Sequence, residues 1–129
     1  MSQFLFSLAR ILVVVLFVVS GVGKLMNPGG VAAAVAGKGL PYPQVLAYLA
    51  IAAELGLGLL IALGYYARAA SLLLAVFTAA TIVLFHDFWR MGGDALRQNQ
   101  IHAMKNLSII GALLMICAAG PGRFAVNQR

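Results

Sequence analysis

Apolar residues dominate four stretches of the chain, and each stretch is long enough to cross a membrane as a helix. The hydrocarbon core of a bilayer is about 30 Å thick, which takes roughly 20 helical residues. The four stretches cover approximately residues 4–25, 45–63, 69–85 and 101–119. This pattern predicts an all-α integral membrane protein, with residues 1–129 forming one four-helix bundle of antiparallel up-down topology.

Turn-forming residues separate these stretches. Asn27-Pro28-Gly29-Gly30 ends the first one, and residues 31–36 are long enough for one or two helical turns at the interface. Residues 64–68 leave room only for a tight turn between antiparallel helices. A longer polar connection extends to about Asn99. The first stretch also has features of a signal peptide, but Lys24 and the three further spans favour a retained helix.

Composition supports a membrane environment. Only 9% of the residues are charged and 63% are hydrophobic, whereas a soluble domain has about a quarter charged residues. The formal charge of +6 would suggest nucleic-acid binding in a soluble protein. Here the basic residues mostly lie singly near the ends of apolar runs, where cations meet anionic head groups. We therefore expect membrane lipids, and no nucleic acid, as partners.

The side of the membrane that holds the termini is harder to predict. Four spans place both termini on the same side, and the basic residues divide almost evenly between the two sides. Of the two orientations we favour the one with both termini in the cytoplasm.

Glu54 is the single charge in the second stretch and lies near its middle. An ionised carboxylate in hydrocarbon is costly, so it is normally paired, protonated or directed into a polar cavity. Small residues at helical spacing, such as Ala47 and Gly58, would let another helix approach it closely. We expect Glu54 to face the interior of the bundle.

Three cations are candidate partners of Glu54. Arg10 and Lys24 share one face of the first stretch, and Lys105 lies near the start of the fourth. Each has a side chain long enough to extend towards the level of the carboxylate. His102 and Asn106 lie within one turn of Lys105 and add hydrogen-bonding groups to the same interior.

Aromatic residues mark both ends of the third stretch. Phe88 and Trp89 follow it, and Tyr65 and Tyr66 precede it, as is typical of anchors at the membrane interface. A second interpretation concerns His86, which would donate a hydrogen bond to the carbonyl of a redox ring that stacks on the neighbouring aromatics.

Two other kinds of site are disfavoured. A metal site formed by His86, Asp87 and His102 has no recognisable ligand spacing, so no metal is predicted. Cys117 is the lone cysteine, which excludes a disulfide within one chain, and its simplest role is a small buried hydrophobe.

In these residues the chain resembles the DoxX family of small bacterial inner-membrane proteins with four helices. The resemblance covers most of the chain and depends on the order and spacing of several short motifs. These are Arg10 with Phe17, Gly21 and Lys24; Glu54 before residues 63–68; residues 86–89 with Gly93-Asp94; and residues 105–109 leading through Gly111 to Gly120-Pro121-Gly122. The resemblance implies a four-helix bundle of the bacterial inner membrane and an association with quinone-linked redox chemistry.

Three functions are compatible with these features. The first is a small subunit or accessory protein of quinone-linked redox metabolism, with quinone as ligand and a redox protein as partner. Its polar interior would contain Glu54, Arg10, Lys24 and Lys105, with His86 near the entrance for the head group. Because the sequence contains no electron-carrier motif, it leaves open whether the protein is an enzyme.

The second function is a non-catalytic scaffold or assembly factor, in which Glu54 and its cation are a structural buried ion pair. The third is a small permease, which would require a homo-oligomer. The sequence has no pair of broken helices of the kind that transporters use, and this disfavours the permease.

Overall fold

The computed structural model describes residues 2–129 and consists of helices joined by short turns. Four helices are long and apolar enough to span a membrane. We call them the first to fourth spans: Ser2–Met26, Pro43–Leu63, Ala67–Phe85 and Gly93–Ala119. Each contains one of the predicted apolar stretches, and the predicted all-α membrane bundle is confirmed.

A short connecting helix, Pro28–Gly37, follows the first span almost without interruption. Asn27 separates the two helices, and its Oδ1 atom accepts a hydrogen bond of 3.1 Å from the Gly30 amide. Pro28 occupies the first helical turn, where its missing N–H costs nothing. The helical turns predicted for residues 31–36 are therefore part of a longer helix.

The fourth span begins earlier than the sequence pattern predicted. Its helix starts at Gly93, so the polar connection predicted to extend to about Asn99 is wrong. Residues 95–98 are Ala, Leu, Arg and Gln, all of which favour helix. The polar residues Arg97 and Gln98 therefore do not mark a break before the helix.

One half of the bundle has a packed core, and we call it the closed half. Each span contributes at least one large apolar side chain that is at most 1% exposed, namely Val14, Ile61, Leu74 and Leu113. Both ends of the chain lie at this half, where the Arg123 amide donates a 2.8 Å hydrogen bond to Oε1 of Gln3. An even number of spans brings the two ends together, as the up-down topology requires.

The final residues of the chain pack on the turn between the second and third spans. The amides of Val126 and Asn127 donate to the carbonyls of Leu63 and Gly64, at 3.1 and 3.2 Å. The side chain of Asn127 accepts a hydrogen bond of 3.0 Å from the Tyr66 amide. These contacts provide donors for carbonyls at a helix end that have no partner within the helix.

The first and second spans approach each other closely at two glycines. A Cβ atom on Gly21 would lie 2.8 Å from both the Cβ and the backbone nitrogen of Leu55, and one on Gly58 would lie 3.2 Å from Cγ2 of Val18. Small residues permit such contacts between membrane helices, where dispersion forces take over the part that the hydrophobic effect has in water. This contact positions the middle of the second span.

We predict that Gly21→Ala lowers the stability of the bundle, because the added methyl group would collide with backbone atoms that cannot move aside easily. The expected loss is about 1–3 kcal/mol, as for other overpacked interiors, measured as a lower unfolding midpoint in detergent. Gly23→Ala is the matched control, because a Cβ there meets nothing within 4 Å. Equal midpoints for the two variants would contradict the close approach.

Candidate functional site

The half of the bundle opposite the termini contains a cavity of about 980 Å³. Its wall comes from the connecting helix and the adjacent ends of all four spans. Within residues 2–129, the Cα atoms of the connecting helix nowhere come within 8 Å of those of the third or fourth span. The connecting helix is therefore separated from the third and fourth spans at this end, and the space between them is large enough for a small ligand.

Most side chains that line the cavity are apolar, but ten are polar. These are Ser20, Lys24, Asn27, Glu54, Thr78, Thr81, His86, His102, Lys105 and Asn106. The structure thus brings together all the predicted polar and ligand-binding residues except Arg10.

Glu54 is the most buried ionisable group of the cavity, with 6% of its surface exposed. The Lys24 ammonium donates to its Oε1 atom at 2.5 Å, and the Lys24 side chain remains 33% exposed. Its Oε2 atom is buried and has no hydrogen-bond partner within the described residues. A buried acceptor without a donor is destabilising, so this oxygen is the strongest candidate for a ligand contact.

The backbone around Glu54 departs from α-helical geometry. Ala52–Leu57 form a π-helical turn, with Glu54 as its third residue. Such turns occur frequently at functional sites in helical proteins. Sequence reasoning missed this feature, and Gly56, a weak helix former, is its only local signal.

Arg10 lies in the closed half, away from the cavity. It is 3% exposed, and its guanidinium donates to the carbonyls of Ala62 at 3.1 Å, Phe124 at 2.9 Å and Pro121. Its predicted place beside Glu54 is therefore wrong. The ends of helices carry carbonyls without donors, and a guanidinium can satisfy several of them at once.

His86 is held by a hydrogen bond from its Nδ1 atom to Oδ1 of Asn99, at 2.9 Å. The Asn99 amide donates through Nδ2 to the Ala95 carbonyl at 3.0 Å, which fixes the direction of the amide. Nδ1 of His86 therefore carries a proton, and Nε2 of the neutral ring is an acceptor. The predicted donation from His86 to a ring carbonyl goes to Asn99 instead. The His102 ring lies 5.1 Å away, centroid to centroid.

The predicted aromatic anchors lie at the two ends of the third span and do not line the cavity. Phe88 and Trp89 contact each other edge to face at 5.4 Å, in the short helical turn Phe88–Arg90. Tyr65 and Tyr66 form a similar pair at 4.6 Å. Stacking of a ligand ring on Phe88 and Trp89 does not fit this arrangement, and their role as interface anchors stays a prediction.

An ion pair near the cavity links the end of the connecting helix to the end of the third span. Lys38 follows the connecting helix, and its Nζ atom lies 3.2 Å from Oδ1 of Asp87, at the end of the third span. Asp87 is thereby engaged away from the two histidines. Within residues 2–129, no three His, Cys, Asp or Glu side chains come together as a set of metal ligands.

Five polar residues in or beside the cavity escaped sequence reasoning as site residues: Ser20, Asn27, Thr78, Thr81 and Asn99. Thr78 and Thr81 line the cavity, and their spacing of three residues within an apolar stretch is a signal that could have identified them. Asn99 had no such signal, because its partner His86 lies outside the fourth span, at the end of the third.

Comparisons with known proteins agree with the architecture. The family model described as DoxX matches residues 5–87. The chain is 37% identical to the inner membrane protein YphA of Escherichia coli (strain K12), over 95% of this chain and 87% of that protein. It is 34% identical to the inner membrane protein YqjF of the same strain, over 93% and 87%. No solved structure matches the chain significantly.

We predict that Lys24→Met destabilises the protein, because it leaves the buried Glu54 carboxylate without its cation. The expected loss is roughly 3 kcal/mol, near the lower end for a broken buried pair, since Lys24 is partly exposed. Unfolding in detergent would measure it.

Lys105→Met is the matched control, because Lys105 lines the same cavity but forms no salt bridge within residues 2–129. The double variant Lys24→Met with Glu54→Gln should recover most of the lost stability. If the two single lysine variants are equally stable, the pair does not stabilise the fold.

Proposed function

The chain belongs to the DoxX family and is a multi-pass protein of the bacterial inner membrane, and from this premise we propose that it binds a quinone in the cavity between its spans. In this proposal it is a small subunit or accessory protein of quinone-linked redox metabolism. The names of the two relatives give a location and no ligand, so the proposal depends on the site.

One observation supports it above the others. The Oε2 atom of Glu54 is buried and unpaired, and Glu54 lines a cavity of about 980 Å³. Lipid tails can fill apolar space but carry no hydrogen-bond donor. A ligand with an apolar body and a polar head would fit both parts of this cavity.

The remaining lining is suited to a quinone. Lys105 carries donors and no acceptor, so it can donate to an oxygen of the ring. Phe77 and Leu84 offer apolar surface to the ring and the first part of the tail. Leu16 and Leu49 line the cavity and are also 45% and 58% exposed on the bundle, where the remainder of the tail would meet lipid.

A redox protein is the proposed partner. The chain would hold the ring, orient it through Glu54 and Lys105, and exclude lipid from it, while the partner exchanges electrons with the ring. With both termini in the cytoplasm, the cavity would open towards the periplasmic side.

The alternative is a scaffold in which the polar residues only hold the helices together. The contact between Lys24 and Glu54 favours it, because such pairs can fix the register of two helices. Under this alternative, changes at Glu54 alter stability without altering any bound ligand.

We predict that gently purified wild-type protein retains a quinone and that Glu54→Ala retains about tenfold less, the loss expected for one hydrogen bond to a charged group. Mass spectrometry of extracted lipids and quinones measures the retained amount per protein. The variant should still fold, because the partly exposed Lys24 can turn towards water.

Asp94→Ala is the control, because Asp94 is an exposed carboxylate outside the cavity. If folded wild-type protein carries no quinone when purified from quinone-containing membranes, the scaffold replaces this proposal. Equal retention by wild type and Glu54→Ala would remove Glu54 from the site.

A further inference from the structure

The buried wall of the cavity offers hydrogen-bond acceptors and hardly any donors. Thr78 is 1% exposed, and its hydroxyl donates to the Leu74 carbonyl at 2.7 Å. The Thr81 hydroxyl donates to the Thr78 carbonyl, also at 2.7 Å. A hydroxyl has one proton. Both threonines have thus committed it to the backbone and can only accept a hydrogen bond from a ligand.

Glu54 and His86 add two further acceptors. The Lys24 ammonium pairs with the Glu54 carboxylate, whose unpaired Oε2 atom can accept a hydrogen bond from a ligand and has none to donate. His86 has committed its Nδ1 proton to Asn99, which leaves the Nε2 lone pair. Four side chains of the wall can therefore accept a hydrogen bond from a ligand but have none to donate. They come from the second span, the third span and the residue that follows it.

The donors of the cavity lie in its more exposed part. Lys24 already donates to Glu54. The other side chains of the cavity with donors are exposed or half-buried: Ser20, Asn27, His102, Lys105 and Asn106. A ligand that reaches Glu54 and Thr78 must therefore bring its own donors.

On the basis of the proposed function, we propose that the cavity selects the reduced, hydroxyl-bearing form of the quinone. A hydroquinone can donate a hydrogen bond from each of its two hydroxyl groups and so satisfies acceptors such as Glu54 Oε2. An oxidised ring has carbonyl oxygens, which are acceptors, and these would face acceptors in the wall. Buried acceptors without donors are costly, so the oxidised form binds less tightly.

The charge of the cavity favours hydroquinone over an ammonium group, which is the other common hydrogen-bond donor. Lys24 and Lys105 line the cavity together with one carboxylate, Glu54. The net charge of these three groups is positive and disfavours a cationic head group. A neutral hydroxyl carries no such penalty. The glycerol hydroxyls of phosphatidylglycerol share this chemistry, and the experiment must distinguish them.

The first test compares a short-tailed hydroquinone with its quinone, titrated without oxygen into wild-type protein in nanodiscs of phosphatidylcholine. We expect the reduced form to bind about tenfold more tightly or better. For a two-electron couple, each factor of ten raises the midpoint potential of the bound ligand by about 30 mV.

Equal or tighter binding of the oxidised form would overturn this selectivity and leave the proposed function standing. Absence of binding by either form would overturn both. If phosphatidylglycerol in the nanodiscs abolishes hydroquinone binding and is itself found on the protein by native mass spectrometry, the acceptors belong to a lipid site and the selectivity is wrong.

The second test uses Glu54→Gln. Lys24 would donate to the amide oxygen of the new side chain, which places its N–H groups where Oε2 stood. The wall then offers a donor, and the preference should shift towards the oxidised ring by tenfold or more. If Glu54 had only a structural role, Glu54→Gln would not change which form of the quinone binds more tightly. The matched control is Asp94→Asn, which makes the same chemical change on the surface.

Thr78→Val provides a further measurement should Glu54→Gln fail to fold. It removes an acceptor at nearly constant volume, so hydroquinone affinity should fall while quinone affinity stays unchanged. An equal decrease for both forms would contradict the inference.

Discussion

The cost of holding a carboxylate within the bilayer governs the arrangement of this protein. Glu54 gives up its hydration, and Lys24 is the cation that offsets this loss. One ammonium contacts one oxygen, however, and leaves the other unpaired. A structure that needed only to neutralise the carboxylate could have replaced both residues with apolar ones. The unpaired oxygen is the feature that led us to propose a ligand site, because a purely structural pair has no need of it.

The two halves of the bundle treat their cations differently. In the closed half, Arg10 donates to three carbonyls and joins the spans to the end of the chain. In the half that contains the cavity, Lys24 and Lys105 retain unused donors. The close contact at Gly21 holds the first span against the segment that carries Glu54.

The sequence predicted the spans well, because the thickness of a bilayer sets a physical limit on the length of an apolar run. It also predicted that Glu54 faces the interior of the bundle, where the side chain is buried. It failed for Arg10, because helical periodicity gives the direction of a side chain without giving its depth in the bundle. The π-helical turn around Glu54 was equally hidden, because only Gly56, a weak helix former, marks it in the sequence.

Hydrogen bonds already made within the wall explain why membrane surroundings would sharpen the selectivity that we propose for this cavity. In water, an unused acceptor is satisfied by solvent and discriminates little between ligands. At bilayer depth lipid tails bring no protons, so each committed hydroxyl, such as that of Thr78, changes what the wall can accept. Asn99 does not line the cavity, but it accepts the hydrogen bond from Nδ1 of His86 and so fixes which ring nitrogen is the acceptor. The preference that we propose would therefore depend on the backbone carbonyls and side-chain amides that accept these hydrogen bonds as much as on the residues that touch the ligand.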